Sequence, residues 1–462
     1  MSVSLRTFVG VAVAFVANLC FGEMPQAEHD TLVALYDAAG GDNWTHNTGW
    51  KTANDTCTWY GVACTSGHIT QLGLDGNHLV GTLPDLSALT FLQYCNLRQN
   101  TLSGNLPALA VLPRLQTFEI GENQFSGNLP NLSGLLKLQF FEAGDNAFTG
   151  SIPSLSGLIS LGTFEVQGNQ LTGSLPDLSD LVNLTFFSAN GNQLTGSIPP
   201  LTNLVSIETF EVGSNQLTGS LPSLAGLDAL AFFEADTNQL SGTIPSLAGL
   251  TQLGTFEVAD NALTGALPDF AGLSKLTFFT ANMNQLSGTI PATLSNATAL
   301  QTFDVQSNQL TGSIPSLGAL SNLYQFSVRN NQLSGPLPSI AGLNKLFYFD
   351  VRSNQLSGTV PAFGTLAALE FLYLGDNQLS GQLPSFAGLG ALFSLGVGGN
   401  AFTGTLPHVP SPNHLASNFS TVCPNRFTLV PDPVNDPPWN AATGDTPWYV
   451  PCDEIFFDGF EF

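Results

Sequence analysis

Apolar residues recur along this chain in one short phrase. TFEVQGNQLTG runs from Thr163 to Gly173, and TFEVADNALTG returns from Thr255 to Gly265. Alternation of apolar and polar residues over four positions predicts a short strand, with Phe164 and Val166 on one face and Thr163 and Glu165 on the other. An asparagine follows each strand at a fixed distance. It stands at 77, 100, 123, 146, 169, 192, 215, 238, 261 and 284, then at 308, 331, 354, 377 and 400. The period is 23 residues, broken once by an extra residue in IPATLSNATAL. A glycine lies four residues after every one of these asparagines, and a proline seven after.

Such self-similarity means one supersecondary unit, stacked. Residues eight, five and three before each Asn point inward. The Asn side chain carries both donors and acceptors, and so can satisfy backbone groups left open where the chain leaves the strand. Gly permits a backbone that other residues resist, and Pro fixes the turn that follows. A single coil cannot bury its own apolar face, so only the stack has a core.

The unit LxxFxVxxNxLxGxLPxLxxL resembles the leucine-rich repeat, and its LTGSLP and LSGTIP segments resemble the plant-type subfamily. The resemblance covers roughly residues 70–408, about 15 coils. It departs from that subfamily in a period of 23 where 24 is usual, and in Phe where Leu is usual from Phe118 to Phe349. It implies an α/β-type repeat solenoid, with a parallel sheet on the concave face, a mostly irregular or 3-10 convex side and a helical N-terminal cap. DTLVALYDAAGG, with Leu32, Leu35, Tyr36 and Ala39 at helical spacing, followed by CTWYGVAC, resembles the cap of secreted plant-type repeats. That cap spans residues 23–69. Residues 409–462 read as a loop-rich C-terminal cap and tail, whose ending IFFDGFEF resembles a terminal signature of some exported proteobacterial proteins.

Residues 1–22 have one Arg followed by an apolar run, the layout of a secretory signal peptide cut after Gly22. No later stretch is long enough to cross a bilayer, so the expected location is extracellular or at the cell surface. The cysteines suit that compartment. Cys57 with Cys64, and Cys423 with Cys452, form the economical pair of local disulfides, while Cys95 sits at a core position.

Composition narrows the partner. Only 10% of the 462 residues are charged, and the net charge is −24. That excludes nucleic acid, whose phosphates would be repelled, and disfavours anionic membranes. The acids concentrate four residues before the Asn, on the outer face of the strand: Glu119, Glu142, Glu165, Ser188, Glu211, Glu234 and Glu257, then Thr280, Asp304, Ser327 and Asp350. Two residues earlier, Thr alternates with Phe140, Phe186, Phe232 and Phe278. Coils about 4.8 Å apart turn these into two stripes. Recent duplication copies every residue, useful or not, so a neutral inherited stripe is the competing reading.

No nucleophile elbow, phosphate loop or His/Cys metal spacing is present. A row of equivalent acids also lacks the asymmetry that separates acid from nucleophile in a glycosidase. The expectation is therefore no catalysis, no cofactor and no metal. The resemblance implies a recognition scaffold, here gripping a cationic protein or peptide on the acidic, Phe-lined concave face. A structural, adhesive or glycan-binding role at the cell surface is the alternative. Carboxylates serving as Ca²⁺ ligands are a third.

Overall fold

The fold is known from a computed structural model, which describes residues 24–52 and 55–450. The expected signal peptide and Cys452, and with it the second expected disulfide, lie outside the described residues. Sixteen strands form one sheet. The first, Val62–Thr65, is antiparallel to His68–Gly73. Each later strand pairs in parallel with the equivalent strand one coil on, as in Thr163↔Phe186 and Phe164↔Phe187. The expected repeat solenoid is the observed fold.

The inward positions form the core. Leu161, Phe164 and Val166 are fully buried, as are their counterparts in coil after coil. The phenylalanines stack into a spine from Phe118 to Phe349. Their ring centroids are 5.3–6.1 Å apart and successive planes lie within 21° of each other. Offset stacks of this kind add ring attraction to the burial of area.

The asparagines are internal. Asn192 donates through Nδ2 to the carbonyls of Val166, Ala189 and Asn190, and its Oδ1 accepts the amide of Leu171. One side chain thus ties its own turn to the coil before it. The residue preceding the Asn pays for this turn: Ser214, Thr237, Asp260 and Met283 all take a φ of 52–55°, a left-handed backbone uncommon outside glycine.

Three features go beyond the sequence reading. The segment between the Asn and the Pro forms a second run of short parallel strands, such as Ala262–Gly265 against Gln285–Thr289, in addition to the expected concave sheet. The extra residue of the coil at 285–308 is taken up by a 3-10 turn, Ala292–Asn296, with Leu294 buried inside. The Asn ladder also passes residue 408. Asn425 donates to the carbonyls of Val397 and Val422 and accepts the amide of Phe402, while Phe427 stacks on Phe402.

The first coil is covered by the helix Gln26–Ala38, whose Leu32 and Leu35 are fully buried, and by a cluster of Tyr36, Trp44, Trp50 and Trp59. The Cys57–Cys64 disulfide is formed, and Cys95 is a buried free thiol. Glu28, nearly fully buried, accepts the Ile69 amide at 2.7 Å and meets His68 Nδ1 at 2.6 Å, which fastens the helix to the first strand of the array.

Candidate functional site: the concave face

Three columns of side chains leave the large sheet on its concave side, at six, four and two residues before each Asn. The middle column is the acidic one. Glu119, Glu142 and Glu165 pair in register, and so do Glu211, Glu234 and Glu257. Neighbours on both sides at strand spacing take most of the water from these groups. Glu142 and Glu165 are buried, with Asp304 and Asp350, whereas Glu119, Glu211, Glu234 and Glu257 are half-buried. An outward position on this sheet is therefore no guarantee of solvation.

Burial leaves its mark on proton affinity, since low polarity disfavours the charged form. Burial, with Asp236, Glu211 and Glu257 adding like charge, pushes Glu234 up to about 8. Burial likewise raises Asp304 to about 6, against the pull of the Gln306 amide that it accepts at 3.1 Å. Glu119 and Glu257 are also shifted upward, chiefly by burial.

The third column, which the sequence reading did not consider, decides how those charges are met. At the N-terminal end Arg98 lies 3.0 Å from Glu142 and 2.8 Å from Glu122. Toward the C-terminus Arg352 grips Asp350 at 2.9 and 2.6 Å, and its guanidinium stacks 4.0 Å from the Tyr373 ring centre. Tyr348 adds a hydroxyl to the same carboxylate. In the middle the equivalent positions hold Asn190, Gly213 and Asp236. The same alternation that exposed the Glu row marks this column two residues later.

The Phe row is less continuous than a stripe. Phe140, Phe186 and Phe232 are half-buried and Phe278 is 39% exposed. Register places a threonine between each Phe and the next. A denser aromatic surface lies toward the C-terminus. There Tyr324 and Phe347 stack at 4.9 Å with planes 1° apart, and Phe371 and Phe393 continue the group. For Tyr324, Phe347 and Phe393 the signal was an aromatic residue displacing the usual Gln, Thr or Gly one residue before the strand. Among the described residues no group of three His, Cys, Asp or Glu side chains is placed to hold a metal ion.

The family model described as Leucine Rich Repeat matches residues 368–389. No curated protein matches the chain. Among solved structures, a TDR receptor is 31% identical with a TM-score of 0.72, over 80% of this chain and 66% of that one. The plant peptide hormone receptor RGFR1, in complex with RGF2, is 30% identical with a TM-score of 0.65, over 77% and 63%. The Arabidopsis receptor kinase HAESA, in complex with the peptide hormone IDA and the co-receptor SERK1, is 27% identical with a TM-score of 0.67, over 87% and 74%. The chain spans just under two thirds of the length of the first two. With the fold, the Asn ladder and these likenesses, the chain belongs to the leucine-rich repeat proteins, and its solenoid is similar to those of these plant receptors.

Proposed function

We propose that this protein is a non-catalytic recognition scaffold, acting outside the cell or at its surface, that binds a cationic protein or peptide segment along the concave face. One observation carries the reading. The carboxylate row receives an arginine of its own near each end, but the −2 position beside Glu211 and Glu234 offers Gly213 and Asp236 instead. Desolvated like charges in register cost stability, and a cationic partner would offset that cost. Two of the similar ectodomains were solved with peptide hormones bound, which supports a peptide or protein ligand here. No helix among the described residues is long and apolar enough to cross a membrane. The acidic row is Glu119, Glu142, Glu165, Glu211, Glu234 and Glu257, with Phe140, Phe186, Phe232 and Phe278 supplying apolar area beside it.

The test is capture of partners from native extracellular medium on immobilised protein, eluted by a salt gradient. The expected partner is basic, elutes early in the gradient, and is not retained when Glu165, Glu211, Glu234 and Glu257 are changed to Gln. A partner held equally by the Gln variant and unaffected by salt would overturn the reading. The coplanar rings of Tyr324, which is exposed, and Phe347, which is half-buried, favour glycan stacking as the second reading. Salt-insensitive binding lost in Tyr324→Ala would select it.

A further inference from the structure

The concave face changes character toward its C-terminal end. In the middle column the acids stop at Asp350, and Tyr373, Gly396 and Thr421 follow. Beside them five rings run without a break from the Asn331 coil to the Asn425 coil. Tyr324, Phe347, Phe371, Phe393 and Phe419 lie in that order with centroids 4.9–5.7 Å apart. Tyr324, Phe393 and Phe419 are 47%, 36% and 61% exposed, and a contiguous exposed apolar surface marks a contact. In the same coil as Tyr324, Arg329 is exposed and forms no ion pair among the described residues.

The chain itself holds a segment that matches this surface. The described residues stop at Val450. Just before, the Trp448 carbonyl lies 3.8 Å from Cys423 Sγ, and Cys423 stands in the third column, two residues before Asn425. The expected bridge to Cys452 fixes the start of the following segment at that point. The segment is DEIFFDGFEF, residues 453–462, with five apolar side chains, four acids and no base. Ten extended residues reach about 33 Å. The four coil spacings from Phe419 back to Tyr324 come to only about 19 Å.

We propose that residues 453–462 dock in cis across these rings, with Ile455, Phe456, Phe457 and Phe460 on the aromatic surface and an acid toward Arg329. Length, apolar content and charge all fit. Burying the apolar side chains of the segment against the exposed rings supplies the driving force. The tether supplies the rest, because a segment anchored beside its site meets it at a high effective concentration. The acidic middle of the face, from Glu211 to Glu257, stays open. The proposal therefore goes beyond the cationic-partner reading and does not depend on it. A docked segment competes with any sugar or protein that seeks the same rings.

The experiment places benzoylphenylalanine at position 457 of the full chain and irradiates the dilute protein. Mass mapping is expected to find a crosslink within one chain, on peptides holding Phe371, Phe393 or Phe419. A crosslink between two chains, one confined to other surfaces, or none at all overturns the proposal. The double variant Phe393→Asp/Phe419→Asp changes two exposed rings outside the core and should lose most of the crosslink. An unchanged yield would mean mere proximity and also overturns it. A second measurement uses a chain that stops at Cys452. It should bind anilinonaphthalene sulfonate with fluorescence at least about twofold above the full chain, because the rings are uncovered. The added peptide acetyl-DEIFFDGFEF should reverse that rise. Equal dye fluorescence with and without residues 453–462 shows that they cover nothing, and the proposal falls.

Discussion

The amide of Phe402 donates to Asn425 Oδ1 at 3.0 Å, the bond by which each earlier Asn holds the coil before it. Asn425 stands 25 residues after Asn400 instead of 23, yet it closes the last full coil and is nearly fully buried. The ladder therefore ends inside the C-terminal cap. Replacing Asn425 with Leu should cost about 1–3 kcal/mol by stranding the Phe402 amide and the Val397 and Val422 carbonyls. Asn215→Leu should cost a similar amount in mid-array. Urea denaturation of both variants checks this, and a neutral result at either position would remove the ladder from the list of stabilising features.

At the other end, Glu28→Ala should free the first helix from the array. It leaves the Ile69 amide without its acceptor and removes the His68 contact, at about 1.5–3 kcal/mol for a hydrogen bond to a charged group. Faster amide exchange across Gln26–Ala38, with mid-array strands unchanged, is the expected readout. Uniform exchange throughout would show that the helix is not held by this contact.

Stability should fall as pH rises. Glu234, Asp304, Glu119 and Glu257 bind protons more tightly in the fold than in an unfolded chain. Their contribution is fully present below the unfolded carboxyl range and is lost as pH climbs through the folded values, to about 8 for Glu234. Thermal midpoints measured from about pH 5 to pH 9 should therefore decline. A midpoint that rises over the same range would mean the row is held ionised.

The variant carrying Gln at 165, 211, 234 and 257 should lose most of that decline. Its midpoint should match wild type near pH 5 and exceed it near pH 8, because neutral amides remove repulsion of roughly 0.8 kcal/mol per close pair in water. A lower midpoint at both pH values would make the carboxylates structural.

Phe186→Ala and Phe232→Ala should weaken partner binding without altering its dependence on salt, since they remove area and no charge. The effect should be modest, because each ring is half-buried and flanked by threonine. Parallel salt series for wild type and the two variants separate area from charge. A changed salt slope would contradict this division.

Much of the fold could be read from the chain. The 23-residue period placed Phe164, Val166 and Asn169 inside and Glu165 outside, because strand alternation and one invariant turn act within a single coil. The Cys57–Cys64 bridge was equally local. What sequence could not convey was how much water reaches an outward side chain. Glu142 and Glu211 occupy equivalent positions, but the first is buried beside Arg98 and the second is half-buried beside Gly213. Arg98 belongs to a coil two before that of Glu142 and comes within 3.0 Å of it only through stacking. Asn425 and the second run of strands likewise depend on contacts between coils. Periodicity within the coil determined the direction of every side chain; stacking between coils decided the environment it met there.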